Sequence, residues 1–219
     1  MTRGPRSGDP YAGVPGRRLF VALPLPGDAA AGVAAIVDDV RGQALPPGMH
    51  DVRWVRLDAV HLTLRFLGPT PEERIDPTAE AVAAVARRHA PIDLTIAGSG
   101  TFPAGPRPRT LWLGLTGGVD AVAALAGATS TALAAIGWPV DDRPFRPHLT
   151  LARSDGLAAG PLVARRLEAA MEGRSIDLTV DRMVLFESVT GAGPARYVPV
   201  AEHRLAATAP DAGSVYHPT

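Results

Sequence analysis

The sequence predicts an α+β fold of two lobes, in which two antiparallel sheets with flanking helices surround a central cleft with pseudo-twofold symmetry. Segments with the period of a strand alternate along the chain with segments that have the period of a helix. Several neighbouring strands are joined by only a few residues, and a parallel crossover needs about a dozen or more, so the pairing must be antiparallel. The order of helix, His-x-Thr strand, helix and strand also occurs twice, which suggests two similar lobes.

In the first half of the chain, apolar residues recur at every second position in the strands and at every third or fourth position in the helices. Asp28 precedes the first helical segment and is its predicted N-cap. Pro77 falls within the first turns of the second helix, where it interrupts the pattern. The predicted elements are strands at 19–23, 52–57, 61–66 and 91–97 and helices at 28–41 and 71–88.

The second half of the chain continues this alternation. The pair Gly117-Gly118 and the segment Gly137-Trp138-Pro139 bound a long Ala-rich helix, because Gly and Pro interrupt regular structure. The predicted elements are strands at 111–115, 148–153, 175–180, 182–187 and 196–200 and helices at 119–136 and 157–171.

The length and composition favour one globular domain. The 219 residues, 46% of them apolar, are enough to bury a core. We expect a disordered segment at 1–17, a single bilobal domain at 18–204 and a disordered tail at 205–219. No stretch approaches the roughly 18 apolar residues of a membrane helix, and the N-terminus lacks the signal-peptide pattern, so we expect a cytoplasmic monomer without membrane contact.

The composition also excludes several kinds of chemistry. The chain has no Cys, which excludes disulfides, thiolate nucleophiles and thiolate metal sites, and no Lys, which excludes Schiff bases and lysine adenylates. Its formal net charge is zero, so no overall basic field attracts nucleic acid. An anionic ligand must therefore be held locally, and Arg is the side chain available for forked recognition of phosphate.

The two His-x-Thr motifs are the candidate functional residues. In a strand, His61 and Thr63 share one face while Leu62, Leu64 and Phe66 share the other, which would anchor the strand in the core. The second motif repeats this pattern, with His148 and Thr150 set against Leu149 and Leu151. A single such motif is more often a half-buried strand residue, but two copies with apolar reverse faces favour a shared site.

Paired imidazoles and hydroxyls are suited to acid–base chemistry at an oxyanion. Imidazole has an unperturbed pKa of about 6.5, so one neutral and one protonated His can act as base and acid in a single displacement. A Thr two residues further on has its hydroxyl on the same face and can donate to a non-bridging phosphate oxygen. Hydroxyls, arginines and imidazolium can hold the anion together, so we expect no metal and no cofactor.

The chain resembles the 2H phosphoesterase superfamily, and within it the RNA 2',3'-cyclic phosphodiesterases historically called 2'-5' RNA ligases. The resemblance covers roughly residues 18–204. It rests on the stretches RLFVALPLP at 18–26, VRWVRLDAVHLTLRFLG at 52–68, FPAGPRPRTLWLGL at 102–115, RPFRPHLTLAR at 143–153 and MVLFESVTGAGPARYVPV at 183–200.

This resemblance implies an RNA-processing hydrolase that opens terminal 2',3'-cyclic phosphates and leaves a 2'-phosphate. It implies that His61 is the proton donor to the leaving ribose oxygen and that His148 is the base for the attacking water. It also raises 2'-5' ligation, in which a ribose hydroxyl takes the place of water at the same two histidines and no ATP is used. The expected partners are RNA ends or small cyclic-phosphate nucleotides, and the residues alone do not distinguish the roles of the two histidines.

Four further residues are candidates for binding substrate. Arg65 has the strand parity of His61, and Arg146 shares the face of His148, so both could reach the cleft. By parity Arg153 lies on the opposite face and needs a bend in the strand to reach the substrate. Phe20 could stack a base, although packing in the core is the better explanation of it.

Two other functional classes remain open from the sequence. A nucleotide-binding module or RNA-end-binding module would keep the cleft without significant catalysis. A metal-dependent hydrolase would need closely spaced His and carboxylate ligands, which neither motif contains.

Overall fold

The computed structural model describes residues 15–141, 143–155, 158–189 and 195–206. The predicted disordered ends lie mainly outside these ranges, at 1–14 and 207–219. The first strand begins at Arg17. At the other end, Leu205 is buried and Ala206 donates a backbone hydrogen bond to Ala86 at 3.3 Å. The folded body therefore extends slightly beyond the predicted limits at both ends.

The described part of the chain contains four α-helices and nine β-strands, which confirms the predicted α+β class. The helices are α1 (Gly27–Arg41), α2 (Ile75–Ala86), α3 (Val119–Ala135) and α4 (Ala159–Met171). The strands are β1 (Arg17–Pro24), β2 (Val52–Trp54), β3 (His61–Thr70), β4 (Ile92–Phe102), β5 (Thr110–Gly117), β6 (Leu149–Ser154), β7 (Ser175–Val180), β8 (Arg182–Val189) and β9 (Arg196–Arg204).

Every strand pair is antiparallel, and the strands follow the order β7-β4-β5-β6-β3-β1-β8-β9, with β2 added beside β6. The two strands that carry the His-x-Thr motifs, β3 and β6, are neighbours at the centre. They are joined by one residue pair, Leu62 with Leu149. The sequence predicted two sheets, whereas the described strands form one nine-stranded sheet, whose two halves meet at equivalent positions of the two motifs.

Two pairs of helices pack against the sheet, one pair on each of its halves. Helices α1 and α4 pack together against the half that contains β4 and β7, whereas α2 and α3 pack together against the half that contains β3, β8 and β9. The buried positions of α1 follow the helical period, at Ala29, Val33, Ile36, Val37 and Val40. Their burial leaves the opposite face of each half available for the cleft.

Some boundaries differ from the prediction for local reasons. Asp28 lies in the first turn of α1 and accepts a hydrogen bond from its neighbour Ala29, while Pro26 occupies the N-cap, so the predicted cap is wrong. The first turn predicted for the second helix is a 3-10 turn at Glu72–Arg74, and Pro77 lies in the first turn of α2, where a missing N–H costs little. Strand β2 ends at Trp54, and a 3-10 turn at Leu57–Ala59 replaces the end of the predicted strand.

Glycines shape the backbone at two further places. Strand β4 continues to Phe102 through an irregular register after Ile96, although Gly98 predicted its end. Gly118 begins α3 with a φ of +72°, and a Cβ there would lie 2.3 Å from the carbonyl oxygen of Asp93, so only glycine fits. Within the described ranges, no helix is long and apolar enough to cross a membrane.

Candidate active site

The single pair between the motif strands brings the two motifs together. Leu62 faces Leu149 in an antiparallel pair, so the next residues in each direction set His61 against Thr150 and Thr63 against His148. The motif residues next to these leucines are half-buried, while Leu62 and Leu149 themselves are buried in the core. The four predicted polar side chains therefore gather on one face, at the centre of the molecule.

Two adjoining cavities open on this face. One, of about 350 Å³, is lined by His61, Thr63, Thr150 and Arg153, together with Arg18, Tyr197 and other residues. The other, of about 640 Å³, contains His148 and shares Thr63 and Phe66 with the first. Thr63 therefore lies between the two imidazoles.

Both imidazoles are oriented in the same way. The Nδ1 atom of His61 lies 2.7 Å from the carbonyl oxygen of Ala59, and the Nδ1 atom of His148 lies 2.7 Å from that of Arg146. A carbonyl only accepts, so Nδ1 must carry the hydrogen in each ring. In the neutral ring, Nε2 then has a lone pair that can take a proton, and in the charged ring it has a proton to give.

Aromatic rings pack behind each imidazole. The ring centroid of His61 lies 4.8 Å from that of Phe20 and 5.0 Å from that of Tyr197, which meets it edge to face. The ring of His148 lies 4.9 Å from Phe102, also edge to face, and 6.2 Å from Trp112. The two histidines are thus held by a backbone carbonyl on one side and by aromatic surface on the other.

The surroundings favour the neutral form of both histidines. Burial lowers the pKa of His61 from its ordinary value of 6.5, the bond to Ala59 opposes this, and the charge of His148 lowers it further. Burial also lowers the pKa of His148, the bond to Arg146 opposes this, and the charge of Arg153 adds to the decrease.

Each motif strand contains an irregularity immediately after its Thr. In β3, Thr63 pairs with Ala22 and Arg65 pairs with Val21, so Leu64 is an extra residue. In β6, Thr150 pairs with Trp112 and Ala152 pairs with Leu111, so Leu151 is the extra residue, whose carbonyl accepts from Val55. A bulge of this kind reverses the alternation of faces beyond it.

These bulges correct two of the sequence expectations and supply the bend that a third one required. Phe66, predicted on the core face, instead lines both cavities. Arg153, predicted on the opposite face unless the strand bends, lines the His61 cavity. Arg65, predicted to share the face of His61, is only 7% exposed, with one guanidinium nitrogen 3.0 Å from a carboxylate oxygen of Asp141. It borders the larger cavity, but it is engaged with the protein.

Two other candidates lie at the site in less direct roles. The side chain of Arg146 is exposed and lines the cavity of His148, as its parity predicted, while its carbonyl orients that histidine. Phe20 is 3% exposed and packs between His61 and Phe186, with its centroid 5.4 Å from the latter. It supports the imidazole and has little surface left for a base.

Some residues of the site escaped the sequence analysis. Arg18 lines the His61 cavity with its guanidinium 5.7 Å from the ring of Phe66, and its position two residues before Phe20 was an available signal. Tyr197 comes from the last strand, and only the tertiary fold brings it to His61. Burial raises the pKa of its hydroxyl, and the charge of Arg153 opposes this. Trp112, on β5, packs against the ring of His148. An added Cβ on Gly100 would lie 2.3 Å from its indole.

The expectation that the reaction needs no metal stays a prediction. Among the residues that the structure describes, no group of three or more His, Cys, Asp or Glu side chains is placed to hold a metal ion.

Comparison with known families gives one match that covers most of the chain. The model of the 2'-5' RNA ligase superfamily matches residues 26–192. The RNA 2',3'-cyclic phosphodiesterase of Geobacillus stearothermophilus is 37% identical over 134 residues, which cover 61% of this chain and only 41% of that protein. The protein of the same name from Thermus thermophilus is 32% identical over 174 residues, covering 71% of this chain and 78% of that protein.

Solved structures show the same fold. The crystal structure of the Thermus thermophilus protein TT0787 has a TM-score of 0.68 at 26% identity, covering 86% of this chain and 97% of that chain. The structure of Escherichia coli LigT complexed with 3'-AMP has a TM-score of 0.63 at 27% identity and covers 86% of this chain and 98% of that chain.

Proposed function

Since the chain belongs to the 2'-5' RNA ligase superfamily, we propose that it is an RNA 2',3'-cyclic phosphodiesterase that leaves a 2'-phosphate. The relatives that carry this name support the reaction class. The proposal rests most of all on one observation. Two histidines that are 87 positions apart in the sequence, at 61 and 148, face one cleft in the same tautomer and with Nε2 available.

The reaction needs one proton taken and one proton given. His148 removes a proton from water, whose oxygen attacks the phosphorus atom of the cyclic phosphate. The bond between phosphorus and the ribose O3' breaks, and protonated His61 gives its Nε2 proton to O3'. The products are a 3'-hydroxyl and a 2'-phosphate, and each proton transfer contributes on the order of 10² to 10⁴ in rate.

The rest of the site is suited to hold the anion. Thr63 and Thr150 line the cavity of His61, and Thr63 also lines that of His148, so their hydroxyls can donate to the non-bridging oxygens. Arg153, which is exposed, and Arg18, which is half-buried, add positive charge to the cavity of His61 and can pair with the phosphate. This set of groups accounts for phosphate binding without a metal ion.

The same arrangement also supports 2'-5' ligation. The 5'-hydroxyl of a second RNA would replace water, lose its proton to His148 and attack the phosphorus atom, while O3' leaves with the proton of His61. The product is a 2'-5' phosphodiester, and no ATP is consumed. Hydrolysis dominates in dilute solution because water is in large excess over RNA ends.

The direct test is analysis of the product from an oligonucleotide that ends in a 2',3'-cyclic phosphate. We expect ³¹P NMR to show the cyclic resonance replaced by a 2'-phosphomonoester, at the same rate with and without EDTA. A 3'-phosphate product would contradict the assignment of O3' as leaving group. Loss of turnover in EDTA, restored by added metal, would favour the metal-dependent alternative.

The binding-module alternative predicts a different result. Calorimetry would then show binding of a 2'-phosphorylated nucleotide, while the cyclic oligonucleotide would persist for hours. We expect both binding and turnover, and we expect the 2'-phosphorylated nucleotide to inhibit competitively because it occupies the same cleft.

A further inference from the structure

The two histidines depend on carbonyls that are held in different ways. The carbonyl of Ala59, which orients His61, belongs to the 3-10 turn at Leu57–Ala59. That turn is closed by its own backbone, with Ala59 donating to Arg56 at 3.0 Å and Val60 donating to Leu57 at 3.4 Å. The first orientation is therefore secured by neighbouring residues.

The carbonyl of Arg146, which orients His148, has no such local support. It lies in the segment 139–147, and the described residues of this segment form neither helix nor strand. The prolines at 139, 144 and 147 also remove three backbone donors from it. Contacts from elsewhere in the chain must then fix this carbonyl.

Arg65 provides such contacts from the first motif. Its guanidinium donates to the carbonyl of Pro139 and lies 3.0 Å from a carboxylate oxygen of Asp141. The side chain of Arg65 is 8% exposed and that of Asp141 is 27% exposed, so the pair is largely removed from water. Asp141 in turn accepts from the backbone N–H of Arg143, which continues the connection towards Arg146.

We propose that Arg65 is a positioning residue for His148: from the first motif, it fixes the segment whose Arg146 carbonyl sets the tautomer and aim of that imidazole. Arginine suits this task because its planar fork can serve a carbonyl and a carboxylate together, which the single nitrogen of lysine cannot do. The rate readout rests on the proposed function, whereas the tautomer readout does not.

The test uses the double variant Arg65→Met with Asp141→Leu. Removing Asp141 alone would take its carboxylate away from the buried charge of Arg65, whereas replacing both by apolar residues of similar size is often tolerated. Arg143, which also pairs with Asp141, is exposed and stays solvated in the double variant. Imidazole ¹⁵N resonances are recorded at a pH where both rings are neutral. We expect His148 to change from the Nδ1–H form to a mixture of tautomers, while His61 keeps the Nδ1–H form.

The rate should change in parallel. Misplacement of the base by about 1 Å can cost about 10²-fold, so we expect kcat to fall between about 10-fold and 10²-fold with KM nearly unchanged. Arg65→Lys, which keeps the charge but loses the fork, should lie between the wild type and the double variant.

The matched control is the exposed pair Arg56 and Asp58, whose nearest nitrogen and oxygen are 2.6 Å apart beside the first motif. The variant Arg56→Gln with Asp58→Asn should keep both tautomers and full turnover, because backbone bonds close that turn. The proposal is overturned if His148 keeps only the Nδ1–H form in the Arg65 double variant. It is also overturned if both histidines change tautomer, because that would indicate a general loss of structure. If the wild type does not open cyclic phosphates but the tautomer of His148 still responds, the proposed function fails and the positioning role stands.

Discussion

The two halves of the cleft are alike through the bulge that follows the Thr of each motif, and they differ from the next residue onwards. Each half has a histidine whose Nδ1 is held by the carbonyl two residues earlier, aromatic support, and a bulge one residue after the Thr. Four residues after the histidine, the first half has the buried Arg65 and the second has the buried Ala152. Five residues after it, the first half brings Phe66 to the cleft and the second brings Arg153.

The features that the two halves share and the residues that differ between them have separate consequences for the site. The shared features produce two imidazoles in one tautomer, and such a pair alone would be interchangeable. The charge of Arg153 breaks the equivalence, because it lowers the pKa of His148. Burial lowers the pKa of both histidines, so the roles of base and acid are assigned by how removal of Arg153 changes the pH profile.

The largest expected effect comes from removing either imidazole. We expect His61→Ala and His148→Ala each to lower kcat by about 10² to 10⁴, because each loses one proton transfer. The double variant should be about as slow as the slower single variant, because the two groups act in one displacement. Turnover of the cyclic-phosphate oligonucleotide measures this, and circular dichroism verifies folding. Strong turnover in either single variant would contradict the pairing.

The residue five positions after each histidine gives the next largest effect. We expect Arg153→Met to raise KM by about 10-fold to 10²-fold, since a charge-assisted hydrogen bond to phosphate is worth roughly 1.5–3 kcal/mol. Phe66→Leu, at the equivalent position, should change KM only a few-fold because it carries no charge. Steady-state kinetics on both variants provides the comparison, and equal effects would mean that Arg153 does not contact the phosphate.

The contrast between Arg65 and Arg153 also shows how far the sequence could predict the site. Strand alternation correctly placed His61, Thr63, His148 and Thr150 on one face, because all four precede the bulges. It then placed Arg65 on the wrong face, since a bulge depends on how neighbouring strands pair and has no signal in the alternation of one strand.

The same reasoning applies to the fold. All the predicted helices and strands exist, because their apolar periods reflect the burial of one face. Their ends moved where tertiary contacts outweighed local signals, as in β4, which continues past Gly98 paired with β5. Tyr197 could not be predicted as part of the site, because only the pairing of β9 with β8 and of β8 with β1 brings it to His61.

A smaller effect, on stability, is expected from the aromatic packing behind His148, where the Trp112 ring lies against Gly100. An added Cβ on Gly100 would lie 2.3 Å from the Trp112 ring, so Gly100→Ala should displace the indole and cost about 1–3 kcal/mol of unfolding free energy. Gly127 lies within α3 with nothing within 4 Å of an added Cβ, so Gly127→Ala should instead stabilise by about 0.5–1 kcal/mol. Urea unfolding of both variants measures the difference. If the Gly100→Ala variant is as stable as the Gly127→Ala variant, the Trp112 ring can shift at little cost in free energy.

The smallest expected effect is a shift in one limb of the pH profile, and its direction assigns the roles. The pKa of each histidine is lowered, so the bell-shaped profile of kcat/KM should have both limbs below the ordinary value of 6.5. If His148 is the base, it must be neutral, and its pKa sets the acid limb. Arg153→Met removes a charge that lowers this pKa, so the acid limb should move to higher pH and narrow the bell. If His148 is instead the acid, its pKa sets the alkaline limb, and the same substitution would widen the bell.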